Sequence, residues 1–370
     1  MHVGIDASRA TVARRTGTES YALHLLRAML AHPPAETVSL YFRDEPAPGL
    51  FPDSAGVTPR VIPFPRLWTH LRLAADLAVR RPRPDVLFVP AHVVPVVCPV
   101  PAVVTVHDLG YRHFPDAHPL AQRLYLEAST YYSAHAAAHV IADSEATRRD
   151  LRTFYGVPAE RVAVVYPGRD ESLRPVDPAA VRAKYGLPER YLLHVGTLQP
   201  RKNLVRLMEA ARTVAQTELA DISLVLAGRP GWLAAPILQA ARECGPLVRV
   251  LEYVPDEDLP GLYSGAAVFA FPSLFEGFGF PVLEAMACGT PVVCANTSSL
   301  PEVAGTAALL VDPLDVAALA TALTRALTDP AVRAELVARG FRQVQRFTWA
   351  RAADEVWAVL AGAASGARRR

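Results

Sequence analysis

The chain has 370 residues, of which 51% are hydrophobic, and this suits two domains that each bury a core. Its formal net charge is +2, which argues against a general polyanion-binding protein but leaves room for a local basic patch. The four cysteines form no CxxC pair, so we expect small core residues in a reduced, cytoplasmic environment rather than a disulfide framework.

The chain opens on a predicted strand, and one later apolar run is long enough to cross a bilayer. The first residues, MHVGIDAS, are typical of a strand and not of a signal peptide. The run Val86–Val106 could span a membrane by its length, but Pro90, Pro95, Pro99 and Pro101 would break a helix repeatedly. We therefore predict two buried strands joined by a proline-rich connection.

Strand-like and helix-like runs alternate along nearly the whole chain. The predicted strands are HVGIDA, VSLYF, VTPRVIP, VLFVP, AVVTVHD, HVIADS and VAVVYPG in the first half, and YLLHVGT, ISLVLAG, VRVLEYV, AVFAFPS, PVVCAN and ALLVDP in the second. Most are continuous apolar runs, as in parallel strands that helices cover on both faces. Helix-like crossovers stand at Glu19–Ala31, Ala121–Ala137, Leu204–Thr217 and Asp315–Leu327. This alternation predicts an α/β fold with two Rossmann-like, doubly wound parallel sheets.

The domain boundary is predicted in the stretch VVYPGRDESLRPVDP, near Gly168, because the strand–helix pattern restarts after it. We expect an N-terminal domain over 1–167 and a C-terminal domain over 168–346. Residues 347–370 are predicted to form an amphipathic helix with a short basic tail, and packing of this helix on the first domain is left open.

Two glutamates, Glu276 and Glu284, stand eight positions apart around a glycine-containing loop. Gly277 and Gly279 let the backbone approach a ligand closely, and Pro281 fits the first turn of a short helix. A helix start offers backbone N–H groups and a positive dipole end, while carboxylates accept strong hydrogen bonds from hydroxyls. Each glutamate alone could be an ordinary loop or helix residue, but together they suit a sugar attached to a phosphate.

Two adjacent cations, Arg201 and Lys202, follow a predicted strand at the start of a helix. Cations at a helix N-terminus oppose the dipole, so an anion between them accounts for the pair better than an exposed helix start does. Two cations there could neutralise a diphosphate and stabilise it as it departs.

The glutamate stretch resembles the signature of retaining, nucleotide-sugar-dependent glycosyltransferases of the GT-B fold, a family that includes many bacterial mannosyl-, glucosyl- and rhamnosyltransferases. The family motif E-x7-E is Glu276-GFGFPVL-Glu284 here, followed by AMACGTPVV and SSLPEVAG. The stretches RRTGTESYA, HDLGYRHFP, VGTLQPRKNL and LEYVPDEDLPGLY resemble, in that order, the family's first glycine-containing turn, acceptor-side loop, phosphate-binding loop and nucleobase loop. The matches extend from Gly4 to Pro313.

The resemblance implies two Rossmann-like domains facing a cleft, the first binding the acceptor and the second binding the donor. It implies that Glu284 holds the ribose hydroxyls and that Glu276 contacts the donor hexose. Some relatives carry an arginine where this chain has Thr197, so the phosphate contact is expected to depend on Arg201 and Lys202. The implied donor-binding residues are Gly17, Thr197, Arg201, Lys202, Gly228, Tyr253, Val254, Pro255, Glu276, Gly277, Phe278, Gly279, Phe280 and Glu284.

The resemblance also places His107, which ends a predicted buried strand, near the reacting sugar. A core histidine with a satisfied neighbour is the alternative for this residue. The implied catalytic residues are His107, Glu276, Arg201 and Lys202, and the implied acceptor-side residues are Asp108 and Tyr111.

We expect no metal and no cofactor, since the nucleotide-sugar is a substrate. The acids of the DED sequence at Asp256–Asp258 stand at a predicted helix start, where acids are ordinary. No histidine or cysteine cluster at metal-ligand spacing is found in the sequence.

The implied reaction transfers a hexose, with mannose from GDP-mannose favoured, to a saccharide or lipid-linked acceptor hydroxyl with retention at the anomeric carbon. Such a reaction would serve polysaccharide biosynthesis, and UDP-glucose-type and dTDP-sugar donors stay open. A nucleotide-sugar epimerase of the same fold and a catalytically silent nucleotide- or saccharide-binding relative are the alternatives. No nucleic-acid partner is expected.

The basic stretch Pro65–Asp85, which carries Trp68, leaves two interpretations open. It could be a crossover helix that packs Leu67, Leu71 and Leu77 on the sheet and leaves its arginines in water. It could instead make a peripheral contact with anionic lipid at the inner face of a membrane.

Overall fold

The computed structural model describes residues 1–12, 17–31, 33, 37–52, 54–91, 93–117 and 119–367. Part of the RRTGTESYA stretch, residues 14–16, lies outside the described residues.

The chain divides into two compact units. The first comprises Met1–Leu109, Leu120–Gly168 and the chain from Phe347 onward, and the second comprises Gly110–Pro119 and Arg169–Arg346. The segment Gly110–Pro119 groups with the second unit, where its His113 ring stacks on Phe275 with a centroid distance of 4.3 Å.

Each unit is built on one parallel sheet. In the first, the strands are β1 (His2–Asp6), β2 (Thr37–Phe42), β3 (Val57–Val61), β4 (Val86–Val89), β5 (Ala102–Val106), β6 (His139–Ala142) and β7 (Val162–Val164). In the second, they are β8 (Tyr191–Val195), β9 (Ser223–Ala227), β10 (Val248–Leu251), β11 (Val268–Phe271), β12 (Val292–Ala295) and β13 (Ala308–Val311). All thirteen predicted strands are therefore confirmed in the described part of the chain.

The spatial order of the strands reverses once in each sheet. The orders are β3-β2-β1-β4-β5-β6-β7 and β10-β9-β8-β11-β12-β13, with parallel pairing throughout the described strands. The reversals lie between β1 and β4 and between β8 and β11. In sheets of this kind, ligands bind beyond the carboxyl ends of the strands at the reversal.

Helices cover the sheets. In chain order they are α1 (Gly17–Ala31), α2 (Ala74–Val79), α3 (Gly110–His113), α4 (Leu120–Ala136), α5 (Glu145–Tyr155), α6 (Ala179–Tyr185), α7 (Leu204–Ala215), α8 (Ala235–Glu243), α9 (Leu259–Gly265), α10 (Phe280–Ala287), α11 (Leu300–Ala304), α12 (Val316–Thr328), α13 (Pro330–Val344) and α14 (Trp349–Ala367). The four predicted crossover helices correspond to α1, α4, α7 and α12. Local signals fix several ends: Ser144 caps the start of α5 by accepting from Thr147 N, and Gly156 ends it with a φ of 65°.

The long apolar run Val86–Val106 forms β4 and β5 with a proline-rich connection, as predicted. Both strands are buried along their whole length because they lie inside the sheet with layers above and below. No helix in the described ranges is long and apolar enough to cross a membrane.

The terminal helix α14 belongs to the core of the first unit. Val356, Trp357 and Leu360 are buried in the same cluster as residues of α1, including Leu26. The Trp357 indole N–H also donates to the Met29 carbonyl at 3.3 Å. The first unit is therefore completed by the last stretch of the chain.

The Pro65–Asp85 stretch is not one helix. A π-helical turn at Thr69–Leu73 precedes α2. Leu77 is buried as expected for a crossover, but Leu67 and Leu71 are 62% and 51% exposed. The expectation that all three leucines pack on the sheet is therefore wrong: Leu71 lies within the π turn, and Leu67 precedes the turn with a left-handed φ of 54°.

Candidate functional site

The loops that follow β8 and β11 are joined by hydrogen bonds at the reversal point of the second sheet. The Arg201 carbonyl accepts from the Leu274 N–H at 2.8 Å. Asn203 adopts a left-handed conformation (φ 61°), and its side-chain amide donates to the carbonyls of Pro272 and Pro313 at 3.2 and 2.6 Å. The sequence PRKN is therefore held directly against the loop that carries the first glutamate.

One carboxylate pairs with both predicted cations. Arg201 Nη1 lies 2.8 Å from Glu276 Oε2, and Lys202 Nζ lies 2.5 Å from Glu276 Oε1. Burial raises the pKa of Glu276, which is 6% exposed, but the charges of the two cations outweigh burial and lower the pKa to about 2. The anion that the cation pair requires is, in this structure, Glu276 itself.

Two serines that were given no role in the sequence fix the backbone of this loop. Ser298 Oγ accepts from the Glu276 N–H at 2.9 Å. Ser299 is fully buried, and its hydroxyl lies 3.0 Å from the Glu276 carbonyl and 2.7 Å from the Phe278 carbonyl. The only sequence signal for them was their place in SSLPEVAG, just before α11.

The loop turns into α10 at a position where only glycine fits. Gly279 has a φ of 112°, and a Cβ there would lie 2.7 Å from Leu300 Cδ2. The helix begins at Phe280, so Pro281 lies in its first turn as predicted, and Phe280 contacts the buried Phe278 edge-to-face at 5.0 Å. Gly277 and Gly279 thus place the N-terminal end of α10 beside the Glu276 loop.

Glu284 has surroundings opposite to those of Glu276. The Tyr263 hydroxyl donates to Glu284 Oε2 at 2.6 Å. Burial raises the Glu284 pKa to about 7, Tyr263 opposes the shift, and the charges of Asp170 and Asp256 add to it. The two glutamates of the motif are therefore one permanently charged acid and one that titrates near neutral pH, a difference that the sequence alone did not predict.

The ends of β8 and β9 approach so closely that glycine is required. Gly196 and Gly228 have φ values of 149° and 153°, and a Cβ on Gly228 would lie 2.0 Å from the Gly196 carbonyl oxygen. Leu198 N donates to the Arg229 carbonyl at 2.9 Å, which extends the pairing past the strand ends. Thr197 is exposed at this edge.

The predicted nucleobase loop follows β10. Tyr253 is 57% exposed, and the Arg229 guanidinium lies 4.5 Å from the centre of its ring. Val254 is buried, and Pro255 leads into a 3-10 turn over Asp256–Asp258. Tyr253 and Arg229 are both exposed, and an aromatic ring and a guanidinium are side chains on which a base can stack.

Of the DED acids, Asp258 has protein partners of its own. It accepts from Lys184 Nζ and from the Tyr185 hydroxyl, each at 2.6 Å. Over the residues that the structure covers, no group of three or more His, Cys, Asp or Glu side chains is arranged to hold a metal ion.

His107 lies in the first unit, directly after β5, and both of its ring nitrogens face acceptors. Nδ1 is 2.6 Å from Asp143 Oδ2, and Nε2 is 3.1 Å from the Pro90 carbonyl. Burial opposes the charged form, but the charge and hydrogen bond of Asp143, with help from Asp108, leave the His107 pKa raised. Two acceptors require two N–H donors, so the geometry is that of an imidazolium.

Asp143 was missed in the sequence, although it directly follows β6, the neighbour of β5, and falls within the predicted strand HVIADS. The rings of Tyr21 and His107 pack in a T-shaped arrangement, with 4.7 Å between their centroids. Gly17 begins α1 and is exposed, and no described atom lies within 4 Å of a Cβ built there. Tyr111 is buried in α3 and belongs to the second unit.

The predicted site residues are thus divided between the two units. His107, Asp108 and Gly17 belong to the first. The cation pair, both glutamates, the glycine loops and the nucleobase loop belong to the second.

Comparison with known proteins identifies the family to which the chain belongs. A family model described as glycosyl transferases group 1 matches residues 179–343, and one described as glycosyltransferase family 4 matches residues 15–173. O-antigen chain mannosyltransferase B from Escherichia coli is 38% identical over 256 residues, which cover 67% of this chain and 67% of that protein. The serotype-specific mannosyltransferase WbdA from Escherichia coli is 33% identical over 224 residues, but these cover only 27% of its length.

Solved structures share the fold over nearly the whole chain. Sucrose-phosphate synthase from Thermosynechococcus elongatus has a TM-score of 0.74 at 25% identity, covering 97% of this chain and 98% of that one. WaaG, a glycosyltransferase involved in lipopolysaccharide biosynthesis, has a TM-score of 0.71 at 16% identity, covering 98% and 100% of the two chains. The predicted fold and the family resemblance are confirmed: the chain is a glycosyltransferase of the GT-B fold and belongs to the group 1 glycosyltransferase family.

Proposed function

We propose that this glycosyltransferase transfers mannose from GDP-mannose to a hydroxyl of a saccharide or lipid-linked acceptor, with retention at the anomeric carbon. The mannosyltransferase names of the Escherichia coli relatives support the choice of sugar. The observation that carries the proposal is the cluster of Arg201, Lys202 and Glu276, in which two cations share one buried carboxylate.

The cluster is suited to exchange one anion for another. A donor diphosphate carries more negative charge than a carboxylate, and the planar guanidinium of Arg201 can hold two of its oxygens at once. Arg201 keeps 25% of its side chain exposed, so an incoming ligand can reach it. The two cations then stabilise the diphosphate as it leaves, which lowers the barrier to transfer.

Once the cations turn to the diphosphate, Glu276 becomes an acceptor for hydroxyls. Its backbone is held by Ser298 and Ser299, so the carboxylate stays in place while its partners change. We assign it to the hexose and Glu284 to the ribose. Tyr263 occupies Glu284 Oε2, which leaves Oε1 for the ribose hydroxyls.

We assign His107 a part in transfer, not in donor affinity. Its support is the raised pKa and the position after β5, at the carboxyl edge of the first sheet. As an imidazolium it supplies a positive charge and an Nε2–H donor for a sugar hydroxyl, in exchange for the Pro90 carbonyl.

Donor identity is tested by isothermal titration and thermal unfolding with GDP-, UDP-, dTDP- and ADP-sugars. A ligand present at about 100 times its Kd stabilises the folded state by about 2.7 kcal/mol. We expect GDP-mannose to give the largest shift, and a larger shift with another base or sugar would overturn the proposed donor.

The reaction is tested by NMR of mixtures that contain GDP-mannose and a panel of saccharide acceptors. The proposal predicts a product with the α configuration of the donor, and a β product would contradict retention. An altered sugar still attached to its nucleotide would show an epimerase, and binding without transfer or donor hydrolysis would show a silent relative.

We also propose that transfer needs no divalent cation, since Arg201 and Lys202 supply the positive charge at the leaving group. Activity should be unchanged by an excess of EDTA. Loss of activity that returns on adding Mg²⁺ or Mn²⁺ would contradict this part of the proposal.

A further inference from the structure

A buried histidine in β8 has one ring nitrogen without a partner. His194 is fully buried, and its Nδ1 lies 3.1 Å from the Ala270 carbonyl, so this nitrogen carries the proton. Nε2 therefore has a lone pair, and within the described ranges no group makes a hydrogen bond to it. Burial, with the nearby Lys202 charge, lowers the His194 pKa to about 3, so the ring is neutral at physiological pH.

The unpartnered nitrogen faces the same small space as Lys202. A Cβ built on Gly196 would lie 3.5 Å from His194 Nε2 and 3.7 Å from Lys202 Nζ. Both groups also pack on Phe271: the His194 ring stacks at 5.4 Å between centroids, and Lys202 Nζ lies 4.7 Å from the ring centre. The absence of a side chain at Gly196 keeps this space open.

The chemistry of Nε2 restricts what can fill that space. A lone pair repels a phosphate oxygen and accepts only from an N–H or O–H group. A buried acceptor in a native structure is expected to have a donor in at least one functional state. The ammonium of Lys202, which has three N–H groups, lies next to this space and can act as that donor.

We propose that His194 is a positioning residue for Lys202, with Nε2 accepting a hydrogen bond from the ammonium when a donor diphosphate draws Lys202 away from Glu276. Lys202 then donates N–H groups to both the diphosphate and His194. The hydrogen bond to His194 keeps the positively charged ammonium in the site. The inference rests on the proposed function, because it requires Lys202 to bind the diphosphate.

The test compares His194→Phe and His194→Gln by isothermal titration with GDP-mannose and with guanosine. Phenylalanine keeps the stacking on Phe271 but removes the acceptor, whereas glutamine restores an acceptor oxygen. We expect His194→Phe to weaken GDP-mannose binding about tenfold, which is the order of one hydrogen bond to a charged group. Guanosine, which has no phosphate, should bind the variant as it binds the wild type, and His194→Gln should recover most of the loss.

A double-mutant cycle with Lys202→Ala separates this inference from the proposed function. In the Lys202→Ala background the His194→Phe change should have no further effect on GDP-mannose binding. If Lys202→Ala weakens binding but His194→Phe does not, the inference is wrong and the diphosphate assignment stands. Equal weakening of guanosine, or additive effects in the cycle, would also overturn it. A wild type that binds no nucleotide-sugar would overturn the proposed function itself.

A measurement on the unaltered protein covers the case in which the variants fold poorly. The ¹⁵N resonance of His194 Nε2 reports whether its lone pair accepts a hydrogen bond. We expect this resonance to move upfield when GDP-mannose binds and to stay in place with guanosine. An unchanged resonance in the GDP-mannose complex would overturn the inference.

Discussion

At the scale of single residues, identical side chains acquire different chemistry from their neighbours. Glu276 and Glu284 were both predicted to accept from sugar hydroxyls, with no difference in their pKa values foreseen, but two cations lower the Glu276 pKa to about 2 and burial raises the Glu284 pKa to about 7. The sequence could indicate the acids and the cations because they stand in two separate stretches that resemble family motifs, the E-x7-E stretch and VGTLQPRKNL. It could not indicate Tyr263 as the partner of Glu284 or Asp143 as the partner of His107, since those residues lie far apart in the chain.

Glu284 gives donor binding a specific pH dependence. The raised pKa means that folding favours its protonated form: this stabilises the protein below the unfolded value of 4.5 and is lost as pH rises through about 7. A ligand whose hydroxyls need the carboxylate must drive off that proton, so GDP-mannose should bind more tightly as pH rises from about 5.5 to about 8.5, by at most tenfold per unit.

The measurement is isothermal titration of GDP-mannose across this range. The diphosphate of a nucleotide-sugar is a diester, so it does not titrate here, unlike a terminal phosphate with its second pKa of about 6. Glu284→Gln is the control, and it should bind weakly with a flat pH profile. A Kd of the wild type that does not vary with pH would refute the role of Glu284.

Asp143 is expected to control the charge of His107. A raised histidine pKa stabilises the fold below the ordinary value of 6.5, and this stabilisation is lost as pH rises through the raised value. Asp143→Asn removes the opposing carboxylate while burial remains, so the His107 pKa should fall. NMR titration of the His107 ring measures this shift directly, and Asp354→Asn, at an exposed position of α14, is the matched control.

The catalytic consequence follows from the same pair. If the imidazolium is the active form, kcat should fall as pH rises through the His107 pKa. In Asp143→Asn this fall should begin at a lower pH than in the wild type, while the Kd for GDP-mannose stays unchanged. An unaltered pH profile of kcat together with a lowered His107 pKa would show that the charge of His107 does not serve transfer.

At the scale of elements, the sequence predicted the strands more accurately than the turns and loops that connect them. Continuous apolar runs predict buried parallel strands directly, because both faces of each strand must be covered. The hydrogen bonds of Ser299 could not be predicted, since they join segments that are separated along the chain. The π turn at Thr69–Leu73 was not predicted either, because it departs from the regular helical period on which the prediction depended. The loops that follow β8 and β9 are an intermediate case. The sequence showed that both contain glycine, but it did not show that Gly196 and Gly228 are in contact.

Gly228→Ala tests the contact between the loops after β8 and β9. The new Cβ would meet the Gly196 carbonyl oxygen at 2.0 Å, at a φ of 153° that side chains rarely adopt. We expect the free energy of unfolding to decrease by about 3 kcal/mol or more. We also expect loss of GDP-mannose binding, because the adjoining PRKN loop shifts. Denaturant unfolding and titration calorimetry measure the two effects.

The matched control is Gly362→Ala, which lies inside α14, where a Cβ would meet no described atom within 4 Å. Alanine in a helix interior should be stabilising by about 0.5–1 kcal/mol relative to glycine. If Gly228→Ala were as stable as this control and still bound GDP-mannose, the close approach of the two loops would be incorrect.

At the scale of the whole molecule, the two units differ in how far apart in the chain their segments lie. The second unit is formed mainly by one continuous segment, Arg169–Arg346, whereas the first needs α14 from the far end of the chain. The repeated strand–helix pattern predicted two sheets because each repeat is a local signal. It left the packing of the terminal helix open, since an amphipathic pattern shows that a face is buried but not against what.

Removal of residues 347–370 should therefore leave the first unit without part of its core. Val356 and Leu360 are completely buried and Trp357 nearly so, and fully burying one such side chain stabilises by about 1.5–3 kcal/mol. We expect the truncated protein to be insoluble or to expose apolar surface that binds a hydrophobic dye. Removal of residues 366–370 alone is the control, and it should leave the unfolding temperature unchanged.

The central claim is that Arg201 and Lys202 exchange the Glu276 carboxylate for a donor diphosphate. The most direct test is a crystal structure of the protein with a non-transferable C-glycosidic analogue of GDP-mannose. We predict diphosphate oxygens within hydrogen-bonding distance of both cations and sugar hydroxyls on Glu276. A nucleotide bound away from these residues, with both cations still paired to Glu276, would contradict the account.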